Sequence, residues 1–308
     1  MATTIDSGDR PVAALDVTVP ATGNSIGRTV LGGGWLGVRY VLLGLYMVLC
    51  LYPFLWMVAT SLRTARGVYE AGTSLWVSEP QWQNYADFWV AANIPRAAVN
   101  TVLITAACMV ITILTTSMTA YAVSRTDFPG RRAIMFALVT TLLIPGEMLV
   151  IPTFYVNRSL HLIGDWKALI AVILVMTAGA QVFNIYLLLG HFNTIPRDLF
   201  DSAELDGESY FGAYWRIAFP LIRPALATVT LLTFMGIWNA YLIPLVYLAP
   251  LPDFQTLTIA LIQYSKQYQT LYQIMAAGAV ITLIPVMIVF VFLQRYFIRG
   301  LTEGATKG

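Results

Sequence analysis

The sequence predicts an all-α membrane protein with six spanning helices, and two observations carry that reading. Only 11% of its 308 residues are charged while 58% are hydrophobic, and the charges fall in clumps between long apolar runs, as expected when lipid is the solvent. Six of those runs are long enough to cross a hydrocarbon core of about 30 Å at about 1.5 Å of rise per residue.

The runs cover approximately 40–62, 101–123, 133–154, 168–190, 225–248 and 273–294. Residues 1–34 come before them as an expected disordered cytoplasmic arm, rich in Thr, Gly, Asp and Pro and without periodicity, with Gly32, Gly33 and Gly34 as a hinge. No short apolar run of signal-peptide type precedes the first span, which is therefore expected to persist as an uncleaved anchor. Pro145 and Pro152 are expected to break or kink the third span.

Loop charges set the expected orientation. Arg10, Arg28, Arg39, Arg125, Arg131, Arg132, Arg197, Arg216, Arg223, Arg295, Arg299 and Lys307 fall on one side. The other side holds only Arg63, Arg66, Arg96, Arg158, Lys167 and Lys266. Both termini are thus expected in the cytoplasm, together with the loop 191–223 and a short tail over 301–308, leaving 35–300 as the membrane domain.

Within that cytoplasmic loop, Asp201-Ser202-Ala203-Glu204-Leu205-Asp206-Gly207 is too patterned for a passive connector. Pro196 suits a first helical turn, Asp198 and Asp201 crowd the positive end of the helix, and Gly207 offers a left-handed stop. Pro196 to Leu205 makes about three turns, shorter than the roughly 12–15 residues an isolated helix needs in water, so docking must hold it. Leu199, Phe200 and Ala203 are expected on one face, with Arg197, Asp201 and Glu204 polar. Two readings stand at this point: a plug for a groove on a soluble partner, or a belt on the bilayer surface. Beyond Gly207, Tyr210 to Phe219 is expected to form a second helix, with Tyr210, Phe211, Tyr214 and Trp215 at the membrane surface, until Pro220 ends it.

Other classes lack support. A net charge of +2 and no cationic block beyond Arg131-Arg132 argue against a nucleic-acid partner. Cys50 and Cys108 lie in apolar spans and suggest neither a disulfide framework nor a metal site. His161 and His191 stand alone near span ends, so no metal cluster is expected. There is no Ser/His/Asp arrangement, and no phosphate-cradling Gly-rich loop precedes any of the three lysines, so catalysis is not expected on this chain.

Inside the spans, Glu147 is the one well-embedded acid, and Trp238-Asn239 a polar pair in the fifth. Each is a candidate for the solute pathway or for a subunit interface, with structural roles equally open. The outer loop 63–99 carries Tyr69, Trp76, Trp82, Tyr85, Phe88 and Trp89, rings suited to the headgroup belt and also to stacking on sugars or meeting a docked protein.

The loop also carries a resemblance. Asp201, Ser202 and Ala203, then Gly207, Ile217 and Pro220, match in register the Glu-Ala-Ala…Gly…Ile-x-Leu-Pro signature of permease subunits of bacterial binding-protein-dependent ABC importers. Asp replaces Glu, Ser replaces Ala and Phe219 replaces Leu. Asn100-Thr101, Ala120-Tyr121-Ala122 with Arg125, Ile144-Pro145-Gly146, Trp238-Asn239 and the ending Gly300 to Gly308 are similar to the carbohydrate-uptake, MalG-like subgroup. The resemblance implies a type I importer permease fold with a cytoplasmic coupling helix in a bacterial inner membrane. It implies an ATPase-coupling role for Asp201, Ser202, Ala203, Glu204, Asp206, Gly207, Ile217 and Pro220. Implied partners are a second homologous permease, an ATPase dimer holding the ATP and Mg, and an extracytoplasmic solute-binding protein, with lipid around the spans and no cofactor on this chain. An ion-coupled secondary transporter is the alternative, although it is expected to show several buried ionisable groups and an internal repeat.

Overall fold

The computed structural model describes residues 25–267 and 271–305, and every regular element among the described residues is a helix or helical turn. In order these are α1 (Ser25–Ser61), α2 (Ala65–Glu70), α3 (Gln83–Ala91), α4 (Ile94–Arg125), α5 (Arg131–Thr141), a 3₁₀ turn (Gly146–Leu149) and α6 (Val150–Ser159). They continue with α7 (Lys167–Phe192), α8 (Asp198–Leu205), α9 (Tyr210–Ala213), a π-helical turn (Tyr214–Ala218), α10 (Phe219–Leu221) and α11 (Arg223–Trp238). The last are α12 (Leu242–Leu248), a 3₁₀ turn (Pro252–Phe254), α13 (Leu257–Gln267) and α14 (Tyr272–Ala305).

Four helices are long and apolar enough to cross a membrane, and up to six if each of two bent pairs is one span. α1 starts at Ser25, so residues 25–34, expected as part of the arm and its glycine hinge, are helical here; the arm's remainder, 1–24, lies outside the described residues. At the other end α14 continues to Ala305, into the segment expected as a tail, and 306–308 lie outside.

The chain divides into two compact units, Met1–Pro53 and Phe54–Gly308. Described by itself, the first is helix α1 as far as Pro53, with Trp35, Tyr40, Leu45 and Leu49 exposed, an apolar surface suited to lipid.

In the second unit two expected spans are broken, the third as its prolines predict and the fifth, expected straight, as well. Residues 133–154 become α5 and then the 3₁₀ turn with α6, bent by 91°. Pro145 disfavours helical dihedrals at Ile144 and brings no N–H to the ladder, so α5 stops short of it. Residues 225–248 split into α11 and α12, and the second bent pair is instead Tyr210–Leu221 with Arg223–Trp238, at 78°. The Pro244 ring would clash with the Ala240 carbonyl four residues earlier, and the Asn239 side chain takes the Met235 carbonyl at 2.9 Å. Freed backbone groups of this kind persist at membrane depth only where protein or a cavity satisfies them.

The core is built on α4 against α7. Ile104 and Cys108 meet Ala168, Ala171 and Val172, small residues that let the two helices approach closely. At one end Asn100 donates to the carbonyls of Asp253 (2.9 Å) and Gln255 (3.1 Å), and Thr101 accepts from the Leu257 amide at 2.9 Å. The loop 63–99 is folded onto this end. Buried Arg63 donates to the Ser74 and Trp76 carbonyls, and Asn84 to the carbonyls of Ser61 and Arg63 at 2.8 Å each. Phe88 of α3 is buried against α14 and lies 5.3 Å, edge to face, from Tyr264. At the opposite end a cluster including Tyr121, Leu188, Phe192, Tyr214 and Leu226 joins α4, α7, the π-helical turn and α11 beneath α8.

Candidate functional site

α8 forms because a proline-led, acid-rich turn precedes a good C-terminal stop. Pro196 lies just ahead of it, two residues before the first helical position, so the helix is shorter than expected at its start. Arg197 is the N-cap residue, and its carbonyl accepts from the amides of Phe200 (2.8 Å) and Asp201 (3.1 Å). Asp198 and Asp201 occupy the first turn, where the helix dipole favours negative charge. At the far end the Glu208 amide bonds the Ala203 carbonyl at 2.9 Å and the Gly207 amide the Glu204 carbonyl at 3.0 Å, a Schellman closure. Gly207 has φ +80° and open space where a side chain would project, so its requirement is conformational rather than steric.

The helix lies against the inner cluster on one side and is free on the other. Ala203 is buried and Phe200 packs on the cluster, its ring 5.9 Å from Tyr121. Leu199, expected on the same face, is 45% exposed, and Leu205 is 90% exposed. The apolar side thus divides: Phe200 and Ala203 bind α8 to its own chain, while Leu199 and Leu205 join Ser202 and Asp206 on the open side.

Tyr121 is the hub beneath, with ring centroids at 4.7 Å from Tyr210, 5.3 Å from Tyr214 and 5.7 Å from Phe192. The guanidinium of Arg125 stands 4.2 Å above the Phe200 ring and donates to the carbonyls of Phe192 (2.7 Å) and Ile195 (2.9 Å). A cavity of about 260 Å³ opens between α8 and α9, lined in part by Arg125, Arg197, Asp201, Glu204 and Glu208.

Of the residues marked in the sequence, Asp201 and Glu204 reach this cavity, Ala203 anchors the helix, and Ser202 and Asp206 stay on the open side. Ser202 is occupied locally, its hydroxyl donating to the Asp198 carbonyl at 2.7 Å. Ile217 and Pro220 are half-buried in the returning segment. There Pro220 does not end the helix begun at Tyr210. It lacks the N–H that the Arg216 carbonyl would take, and the ladder widens over Tyr214–Ala218, with the Phe219 amide reaching the Tyr214 carbonyl, before resuming in α10.

Glu208 was not singled out from the sequence, yet it pairs with Arg216 at 2.5 Å. Its carboxylate lies where a β-carbon on Gly212 would sit. The i, i+4, i+8 spacing of Glu208, Gly212 and Arg216 is the signal that points to them.

The membrane candidates do not gather into one site. Glu147 is exposed in the 3₁₀ turn at the 91° bend, and Asn239 is exposed at the end of α11. Trp238 is only 6% exposed, stacks on Phe234 at 5.3 Å and donates to the Thr282 carbonyl at 3.2 Å, which makes it part of this subunit's own core. Among the described residues no group of His, Cys, Asp and Glu has the arrangement of a metal site.

A helical bundle with broken spans and a short, braced helix between two of them defines a type I importer permease, a multi-pass membrane protein. Residues 113–303 match the family described as the binding-protein-dependent transport system inner membrane component, and the chain belongs to it. It is similar to the diacetylchitobiose uptake system permease protein NgcG of Streptomyces coelicolor, at 29% identity over 88% of each chain. It is also similar to the arabinooligosaccharides transport system permease protein AraQ of Halalkalibacterium halodurans, at 36% identity over 68% of this chain and 73% of that one. Among solved structures, a bacterial ABC transporter involved in import of the acidic polysaccharide alginate superposes with a TM-score of 0.73 at 25% identity, covering 90% of this chain and all of that chain.

Proposed function

We propose that this chain is one of two permease subunits of an ATP-driven importer for a sugar, oligosaccharide or related polyol in a bacterial inner membrane. The relatives' named solutes support the substrate class: diacetylchitobiose, arabinooligosaccharides and, in Bacillus subtilis, melibiose, raffinose and stachyose. ATP and Mg belong to a separate ATPase dimer, since no Gly-x-x-x-x-Gly-Lys loop occurs in this sequence. A solute-binding protein delivers the cargo, a reading supported by the family description and by a solved alginate transporter held with its periplasmic protein.

α8 is the coupling element in this reading. The observation that carries it is the division of its surface, with Phe200 and Ala203 held by the spans and Ser202, Leu205 and Asp206 presented outward. A stiff helix held at its back and gripped at its front passes a push from the ATPase into α4, α7 and α11, and so drives alternating access. The loop-charge bias supports a cytoplasmic position for α8 and both termini. The grouping of the Arg125 end of α4 with Phe192 and Ile195, opposite the Asn100 end, is consistent with that alternation.

The test is Gly207→Trp in the assembled transporter. A side chain in the left-handed region costs about 1 kcal/mol or more and redirects the exit from α8. Association with the ATPase and solute uptake should both fall; wild-type values for both would remove α8 from the coupling path.

A further inference from the structure

The position of one arginine shows how α8 is joined to the membrane domain. Arg125 is the last residue of α4, and its side chain turns back under the loop rather than out to solvent. Three elements meet on its single planar group. One Nη2 donates to the Phe192 carbonyl, in the last turn of α7, and to the Ile195 carbonyl just beyond it. The carbonyls at a helix C-terminus carry the negative end of its dipole, so a cation is favoured there. The flat face of the same guanidinium covers Phe200 of α8 at 4.2 Å.

Its Nε is buried and has no hydrogen-bond partner among the described residues. A buried donor left unpaired opposes folding, so this arginine is not placed for hydrogen-bond satisfaction alone. Its plane is held where carbonyls lie at one edge and an aromatic ring lies beneath. Lysine offers a point charge without a plane and reproduces only the first of these contacts. Tyr121, one turn earlier on α4, supports the same ring from the side at 5.9 Å, and Arg197 and Asp201 face the cavity beside it.

We propose that Arg125 is the positioning residue through which movement of α8 is transmitted to α4 and α7 together. α8 is connected to α4 along the chain only through α5, α6 and α7. Beside the arginine, the Tyr121–Phe200 ring contact holds the back face of α8 to α4. With the arginine, a displacement of Phe200 pulls one group bonded to both spans. The assignment rests on α8 being the ATPase contact, and it adds the path by which that contact reaches the spans.

The experiment uses the complete transporter, purified with its partner subunits and reconstituted in vesicles, with solute uptake and ATP hydrolysis measured together. Arg125→Met keeps the stem length and removes the fork and the charge. Its uptake per ATP hydrolysed should fall by about tenfold, within the range that coupling-path substitutions span, while the ATPase still co-purifies. Arg125→Lys should recover only part of the loss, and Phe200→Leu should resemble Arg125→Met. Combining the two should add little, as for two members of one contact.

Uptake per ATP equal to wild type in Arg125→Met overturns the proposal. Should that variant fail to accumulate, Phe200→Leu decides, because it keeps apolar bulk; wild-type uptake per ATP there overturns it equally. Failure of the coupling reading itself looks different: Gly207→Trp would then leave ATPase association and uptake intact, whatever the Arg125 variants do.

Discussion

The ring of Phe88 occupies the space that a β-carbon on Gly278 would need. Helix α3 is thereby seated in a notch on the last span, 190 positions further along the chain. Gly278→Ala forces one of the two apart, and overpacking of this kind costs about 1–3 kcal/mol. The purified protein should melt at a lower temperature, and Phe88→Leu should recover part of the loss in the double variant. Equal melting of Gly278→Ala and wild type would show that the notch yields freely.

Gly207 calls for a different contrast. Since nothing lies near its missing side chain, the cost of substitution is set by its φ of +80°. Asn tolerates this region and β-branched residues do not. Gly207→Asn should therefore keep most of the uptake and Gly207→Val should lose most of it, in a vesicle assay normalised to the amount of assembled transporter. Equal loss in both would mean that a side chain at 207 obstructs something, rather than that the backbone is strained.

Asn100 is 6% exposed and holds two carbonyls of the loop after α12. Asn100→Leu leaves the Asp253 and Gln255 carbonyls without that donor, at a cost of about 1–3 kcal/mol. Thermal melting in detergent should register the loss, and proteolysis should open near residue 253. An unchanged melt would show that Arg96, which donates to the Asp253 carbonyl at 3.1 Å, is sufficient by itself.

Glu208 and Arg216 should contribute little stability despite their 2.5 Å separation, because the Arg216 side chain is 76% exposed and solvent screens the pair. Glu208→Gln should cost no more than about 1 kcal/mol, and the cost should shrink as salt is raised. Melting curves at two ionic strengths check this. A larger, salt-independent loss would mean that Glu208 is held by something other than Arg216.

The legible part of the fold was set by composition and local chemistry. Apolar run length marked six candidates, four of which are single long helices, and the glycine with its preceding acidic turn located α8 and its stop. The break in the third span was legible in Pro145, whereas the one in the fifth was not, because run length is blind to where a proline withdraws one N–H. Pro244 carried the needed signal, four residues beyond Ala240. At the candidate site the exposure of Asp201, Ser202, Glu204 and Asp206 was legible, since charge pattern reveals it. The partition of Leu199 from Phe200 was not, because adjacent positions differ by about 100° around a helix and only tertiary packing chooses between them. Arg125 was visible as a loop cation and as part of a family-like span end, but its role was not; its partners are the Phe192 and Ile195 main-chain carbonyls and the Phe200 ring, the first two of which any residue supplies.

The claim on which the account rests is that the open side of α8 touches the ATPase. Leu205, 90% exposed on that side, is the position to probe. With Cys50 and Cys108 replaced by Ser, Leu205→Cys in the assembled transporter should form a short-span cross-link to the ATPase subunit, and the yield should change when ATP is added. Absence of any cross-link from Leu205→Cys in a transporter that still takes up solute would contradict the account.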